Sequence, residues 1–166
     1  PGSSVIFGMI ADTFSTVPLN EEVFLAQREA IRRLARESEN GCVIVGRCAD
    51  MALKKHANLI NIFIHAAEPF RMDRIRSGKA DANDGKSYTA AGDRELLDLM
   101  RRKDKERWSY YDAHTQNRWG QSKNYDLTIN SALLGIEGSV KVILDVIRDF
   151  EKNGGKKDWI KDWSGK

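Results

Sequence analysis

The chain has 166 residues, of which 41% are hydrophobic and 31% are charged, a balance that fits one soluble globular domain rather than a disordered chain. The formal net charge of +3 is too small to indicate a nucleic-acid partner, but it is compatible with a small anionic ligand. No apolar run approaches the roughly 20 residues that span a bilayer, and no basic segment precedes an apolar core at the start, so we expect a cytoplasmic protein without a membrane partner.

The first predicted helix is EEVFLAQREAIRRLARE, in which apolar residues recur at helical spacing. Asn20 is suited to cap its N-terminus, and Leu19 is placed to pack on Phe24 as a hydrophobic staple. Gly41 is expected to close this unit, so the helix leads directly into the next element.

That next element is Cys42–Val45, whose small and β-branched residues predict a short strand buried on both faces, as in a parallel sheet. Gly46 ends the predicted strand, and Arg47 follows it. Open α/β sheets bind ligands beyond the carboxyl ends of their strands, so Arg47 is a candidate phosphate ligand. The alternative is an ordinary turn with an exposed arginine.

The middle of the chain repeats this alternation. A short helix is predicted from about Ala49 to His56, then a buried strand in LINIFIHA, whose Ile60, Ile62 and Ile64 alternate, then a helix in EPFRMDRIRSG. Residues 78–92 carry glycines without an apolar pattern, which predicts a mobile loop.

The last part of the chain contains a helix from Asp93 to about His114, a strand from Tyr125 to Asn130, a loop over 131–135 and an amphipathic helix that ends near Phe150. The polar tail 151–166 is either a frayed end or a short helix docked through Trp159 and Trp163. Strands separated by helices predict an α/β fold, a parallel sheet flanked by helices, in a single domain over residues 1–150.

Two groups of charged residues are candidates for chemistry. Asp104 and Arg107 are one helical turn apart, where an apolar face becomes charged, and they form either part of a cleft or a surface ion pair. Arg71, Arg74 and Arg76 follow a predicted strand, and their guanidinium groups suit phosphate oxygens, although a solvated basic face is the usual explanation for such a cluster.

The segments VIVGRCAD, FRMDRI, KDKERWSYY and NYDLTINSALLGIEG occur in the order found in the cytidylate kinase-like family, relatives of the P-loop nucleoside monophosphate kinases, and the chain resembles that family over roughly residues 20–150. The resemblance implies transfer of the ATP γ-phosphoryl group, with Mg²⁺, to a CMP-like nucleoside monophosphate. It implies a lid over about residues 68–114. The residues that it implies for the acceptor nucleotide are Arg47, Asp50, Asp104 and Arg107.

The resemblance also implies catalytic roles for Arg74, Asp104 and Arg107 and no metal-ligating side chain. It assigns the donor nucleotide to a separate group of residues: Arg71, Arg74, Ser131 and Leu133.

The chain departs from the family pattern because no glycine-rich phosphate loop precedes Asn20. The resemblance places the strand of that loop between Cys42–Val45 and Leu59–His65, so we expect a P-loop kinase-type sheet that lacks its first βα unit. A further N-terminal part, the segment SSVIFGMI or a partner chain would fill the gap, and we favour the first.

This chain alone is expected to show little or no kinase activity, because the phosphate loop supplies the charge-assisted hydrogen bonds that position the donor. The alternative function is a non-catalytic nucleotide-binding or protein-interaction domain derived from a kinase scaffold. The sequence leaves a homo-oligomer open.

Overall fold

The computed structural model describes residues 21–79 and 87–156. A 3₁₀ turn at Ser122–Asn124 precedes the second strand. In chain order the elements are the helices and strands α1 (Glu21–Glu37), α2 (Ala49–Ala52), β1 (Ile62–His65), α3 (Glu68–Arg76), α4 (Asp93–His114), β2 (Leu127–Asn130) and α5 (Ser131–Lys152).

The two strands form a parallel sheet in which Ile62 lies opposite Leu127 and His65 lies opposite Asn130. The connection between them passes through α3 and α4, and α5 follows β2 directly and packs on both strands. The described residues therefore form an α/β fold with a small parallel sheet flanked by helices, which confirms the predicted fold class at this level.

The prediction of a buried strand at Cys42–Val45 is wrong. These residues have no strand structure, and Val43 and Val45 are 72% and 79% exposed. Only Ile44 packs inward, against the buried cluster formed by α1 and α2. A strand needs a hydrogen-bonded neighbour, and no segment within 21–79 or 87–156 pairs with residues 42–45.

The second predicted strand is shorter than expected. β1 begins at Ile62 rather than Leu59, and Ile64 is 54% exposed instead of buried. Only β2 pairs with it, so its other edge has no strand neighbour among the described residues. The helix after Ala49 is also shorter, because α2 ends at Ala52, and the third strand starts at Leu127 rather than Tyr125.

The predicted loop at 131–135 is wrong in most of its length, because helical structure starts at Ser131. Gly135 interrupts the helix with φ 66° and ψ −179°, and the oxygen of Gly135 accepts a hydrogen bond from the Ser139 hydroxyl at 2.6 Å. The left-handed conformation suits glycine, which has no Cβ. Gly135, at the end of the predicted loop, therefore produces a kink within α5.

The structure contains two separate buried clusters. One lies between α1 and the segment of α2, and the other lies between α3 and α4. In the first, Ile31 of α1 packs with Ala52 and Leu53. In the second, Leu96 and Leu99 of α4 pack with Tyr88, and Met72 and Ile75 of α3 cover them. The helix α4 has the predicted bounds, and the apolar residues Leu96, Leu99 and Met100 of its first half are buried.

Several predictions concern residues outside the described ranges. They are the Asn20 cap, the Leu19 staple, the segment SSVIFGMI, residues 80–86 of the predicted loop, and the tail residues Trp159 and Trp163. Among the helices that are described, none has the length and apolar character required to cross a membrane.

Candidate functional site

The helices α3 and α4 lie side by side in opposite directions, and ion pairs join them at both ends of their contact. Near the end of α3, Arg76 pairs with Asp93 at the start of α4. Arg71, which precedes Arg76 in α3, pairs with Asp104, which lies three turns after Asp93 in α4. The cluster of Leu96 and Leu99 lies between these pairs. The helices α3 and α4, which lie in the predicted lid, therefore form a hairpin with its own core.

Asp104 is bound by two arginines. Arg71 donates two hydrogen bonds to it, from Nη1 to Oδ2 at 2.7 Å and from Nη2 to Oδ1 at 2.9 Å. Arg107 donates from Nη1 to Oδ1 at 3.0 Å. Paired bonds from one guanidinium to both carboxylate oxygens are the strong, geometrically fixed form of this interaction. We call Arg71, Asp104 and Arg107 the arginine–aspartate triad, and it carries one net positive charge.

Arg71 and Arg74, which lie one turn apart on α3, have different partners. Arg74 donates from Nη2 to the Lys79 carbonyl oxygen at 2.9 Å, just beyond the end of α3. Arg71 instead faces α4 and takes part in the triad. The structure therefore separates these two predicted donor ligands and places Arg71 with the predicted acceptor ligands Asp104 and Arg107.

The turn that carries Arg47 has an unusual backbone. Gly46, Arg47 and Cys48 are all left-handed, with φ values of 70°, 60° and 52°. For residues other than glycine this conformation costs roughly 1 to 2 kcal/mol each. Cys48 is buried directly before α2, and burial, assisted by Asp50, raises the pKa of its thiol to about 12. The strained turn is thus held by packing around Cys48.

Asp50 meets the second half of α4. The Tyr111 hydroxyl donates to Asp50 Oδ2 at 2.6 Å, and burial together with this hydrogen bond raises the pKa of Tyr111. Burial also raises the pKa of the neighbouring Tyr110, and the positive charge of Arg47 acts in the opposite direction. Asp50 is therefore hydrogen-bonded to the helix that also carries Asp104 and Arg107, and the charge of Arg47 acts on the same helix at Tyr110.

An aromatic cluster borders this region from the sheet. The Phe63 ring lies 4.8 Å from that of Tyr125 and 5.3 Å from that of Trp119, measured between centroids. The Gly120 N–H donates to the Tyr125 hydroxyl at 3.2 Å, and a Cβ at Gly120 would lie only 3.3 Å from the Phe63 ring. Burial raises the pKa of Tyr125, and the nearby Asp50 adds to that shift. Asp50 is thus close to the aromatic cluster that packs on Phe63 of β1.

The predicted donor-base residues lie at the start of α5. The Ser131 hydroxyl donates to the His65 carbonyl oxygen at 3.2 Å, and the Asn130 side chain accepts from the Ala132 N–H at 3.1 Å as an N-cap. Ser131 is buried, whereas Leu133 is 80% exposed. Asn130 and Ser131 therefore fix the start of α5 against β1, and Leu133 points to the surface.

Two interactions at this site were missed by sequence reasoning. The pairing of Arg71 with Asp104 joins residues 33 positions apart, and that of Tyr111 with Asp50 joins residues 61 apart. A seven-residue interval places Asp104 and Tyr111 on one stripe of α4, which indicates that both face the same way. That pattern gives no information about their partners.

Comparison with known proteins gives one similar fold and one matching family. A crystal structure of an uncharacterized protein from Eubacterium ventriosum ATCC 27560 is similar, with a TM-score of 0.63 and 22% identity over 89% of this chain and 78% of that one. At that identity the similarity concerns the fold alone. No curated protein matches the chain. The sequence model of the cytidylate kinase-like family matches residues 3–133, a range that contains Arg47, the arginine–aspartate triad and Ser131, and the chain therefore belongs to that family.

Proposed function

We propose that the full-length protein is a nucleoside monophosphate kinase of P-loop type that transfers the γ-phosphoryl group of ATP to a CMP-like acceptor. Family membership and the small parallel sheet support a kinase-like scaffold. The observation that carries the proposal is the arginine–aspartate triad, which holds two guanidinium groups together on α3 and α4. Phosphoryl transfer depends almost entirely on such positioning and charge stabilisation.

In this proposal Arg107 binds the acceptor phosphate. Its side chain is 52% exposed and gives one of its N–H groups to Asp104. A guanidinium has five N–H donors in a planar fork, so donors remain for two parallel bonds to phosphate oxygens. The positive charge of Arg47 acts on Tyr110 of the same helix, and in this proposal Arg47 provides a second positive charge for the acceptor.

Asp50 gives the acceptor site a negatively charged group beside aromatic rings. Its Oδ2 accepts from Tyr111, which fixes the carboxylate in place. A fixed carboxylate can accept a hydrogen bond from a sugar hydroxyl or a base amino group, whereas it repels phosphate. Asp50 therefore binds the nucleoside part, and the arginines bind the phosphate.

The donor side of the proposal is ATP with Mg²⁺. Arg74 at the end of α3 contacts the donor phosphates and acts in catalysis, and Ser131 and Leu133 lie beside the donor base. Within residues 21–79 and 87–156, no three His, Cys, Asp or Glu side chains are grouped to hold a metal ion. We assign no protein ligand to Mg²⁺ and route no step through it; when bound with ATP it neutralises phosphate charge.

Isothermal titration with CMP, AMP and UMP tests the acceptor site. The full-length wild-type protein is compared with its Arg107→Gln variant and with Arg148→Gln, a matched control that also loses an arginine paired with an aspartate three residues earlier. We expect CMP to bind the wild type and the control equally and to bind Arg107→Gln at least about tenfold more weakly. Binding of none of the three nucleotides to the wild type would refute the proposal.

A specific observation favours a second candidate, a nucleotide-binding or interaction domain that does not transfer phosphoryl groups. Val43, Val45 and Ile64 are large, apolar and mostly exposed, as at surfaces that bind another chain. The two candidates differ in one measurement, which is ADP formation from ATP in the presence of CMP. In the full-length protein, turnover that disappears in Arg107→Gln supports the kinase, and CMP binding without turnover supports the second candidate.

A further inference from the structure

We infer that Asp104 is a positioning residue that couples Arg71 of α3 to Arg107 of α4, and that Arg71 acts on the acceptor side of the site. This inference rests on the proposed function, because it takes the acceptor phosphate to be the anion that Arg107 binds. It differs from the role that the family resemblance gives Arg71, which is contact with the donor.

The geometry separates Asp104 from the other aspartates that pair with a basic residue one turn away. Asp73, Asp145 and Asp149 have side chains that are 54% to 78% exposed and make single long contacts, whereas Asp104 is 29% exposed. An exposed pair at this spacing orients a side chain only weakly. Because the Arg71 fork holds both oxygens of Asp104, Arg107 meets a partner that cannot rotate.

This arrangement links the position of α3 to the acceptor phosphate. The guanidinium of Arg107 is oriented by a carboxylate that is itself fixed by Arg71, so displacement of α3 would release Arg107 as well. Arginine has large rotamer freedom, and a fixed fork loses less of it when it binds a ligand. Removal of Arg71 should therefore weaken acceptor binding by loss of order as well as by loss of charge.

Two substitutions separate these causes because they change the charge in opposite directions. Arg71→Gln lowers the net charge of the triad from +1 to zero, and Asp104→Asn raises it to +2; both break the paired hydrogen bonds. If charge alone matters, the first weakens phosphate binding and the second strengthens it. If positioning matters, both weaken it.

Titration of CMP into these variants is the test, with Arg76→Gln as the matched control. Arg76 also joins α3 to α4, through Asp93, but it does not contact Asp104. We expect about tenfold weaker CMP binding for Arg71→Gln and for Asp104→Asn, and a change within about twofold for Arg76→Gln. The inference is overturned if Asp104→Asn binds CMP as tightly as the wild type or more tightly, or if Arg76→Gln is as weak as Arg71→Gln.

Circular dichroism first establishes that each variant is folded. If Arg71→Gln does not fold, Arg71→Lys replaces it, since lysine keeps the charge but cannot donate the paired bonds. For this variant we expect severalfold weaker CMP binding, and unchanged binding overturns the inference.

A measurement that needs no nucleotide tests this inference separately from the proposed function. Side-chain NMR of the Arg107 guanidinium, with inorganic phosphate as the probe, reports its order directly. We expect Arg107 to lose order in Arg71→Gln but not in Arg76→Gln, even if no nucleoside monophosphate binds the wild type and the proposed function fails. An Arg107 signal that is the same in Arg71→Gln and in the wild type overturns the positioning role whatever the nucleotide titrations show.

Discussion

Two regions of the molecule differ sharply in how completely their apolar residues are covered. One is the helical hairpin of α3 and α4, and the other is the segment at 41–45 together with β1. In the hairpin Leu96 is 0% exposed, and ion pairs join the two helices on either side of it. In the other region Val43, Val45 and Ile64 are each more than half exposed, although all three are β-branched and apolar.

The difference follows from where each region finds its partners. A helix satisfies its backbone groups internally, and the two hairpin helices are close in sequence, so their contacts are available within the described chain. A strand satisfies its backbone groups only through a neighbour that is often distant in sequence. Residues 41–45 have the composition of a buried strand, but no described segment pairs with them. Composition therefore indicates what a segment can become and not whether its partner is present.

The largest expected effect distinguishes these two regions. Leu96→Ala should lower the free energy of unfolding by about 2 to 5 kcal/mol, because it removes a fully buried side chain and leaves a cavity. Val45→Ala should change it by no more than about 0.5 kcal/mol, because that side chain is 79% exposed. Urea unfolding followed by circular dichroism measures both values.

Similar costs for the two substitutions would contradict the contrast. They would mean that Val45 is covered in solution by a chain segment that residues 21–79 and 87–156 do not include. Val43→Ala serves as an internal check, since Val43 lies two residues away and is exposed to a similar extent.

The same division, between contacts that are local in sequence and contacts that are distant, determines how much of the molecule could be predicted from the sequence. The bounds of α4 and the start of α3 agree with the predictions, because helical spacing, charge at helix ends and turn residues are local signals. The Cys42–Val45 strand was predicted from equally local signals, and it was wrong because pairing is not local. At the site, the face shared by Asp104 and Tyr111 followed from periodicity, whereas their partners Arg71 and Asp50 depend on the tertiary fold.

A smaller effect concerns the contact between α2 and α4. Tyr111→Phe should cost about 1.5 to 3 kcal/mol, because it removes a hydrogen bond to the charged Asp50 carboxylate and leaves that group less well satisfied. Tyr110→Phe removes a bond to the neutral Gln27 side chain and should cost about 0.5 to 1.5 kcal/mol. Chemical denaturation of both variants gives the comparison. A larger cost at Tyr110 than at Tyr111 would show that the Asp50 bond is not the stronger connection.

The strained turn at Arg47 gives an effect of about 1 kcal/mol. Arg47→Gly and Arg47→Ala both remove the guanidinium, but only glycine adopts a φ of 60° without a steric cost. The glycine variant should therefore be more stable than the alanine variant by about 1 kcal/mol. Thermal unfolding of the pair measures this difference, and equal stability would indicate that the turn relaxes once the side chain is removed. Both variants should lose CMP affinity alike if Arg47 binds the acceptor.

An effect on reactivity rather than on folding compares two thiols on either side of the same turn. Cys42 is exposed in the unpaired segment, whereas Cys48 is buried at the start of α2 with its pKa raised to about 12 by burial and by Asp50. Because the thiolate is the reactive form, Ellman's reagent at pH 8 should modify Cys42 at least about tenfold faster than Cys48. Cys42→Ala and Cys48→Ala assign the two rates.

The same pKa fixes the direction of a pH effect on stability. A group whose pKa is higher in the folded state stabilises the fold below its unfolded pKa, and this contribution is lost as the pH rises through the folded value. For Cys48 the loss begins near pH 9 and continues toward about pH 12. The wild type should therefore lose stability faster than Cys48→Ala between pH 8 and pH 10.5 in urea unfolding, since the tyrosines titrate in both proteins. Parallel pH curves, or equally fast modification of both thiols, would show that Cys48 is accessible and that the turn after the exposed segment is as open as the segment itself.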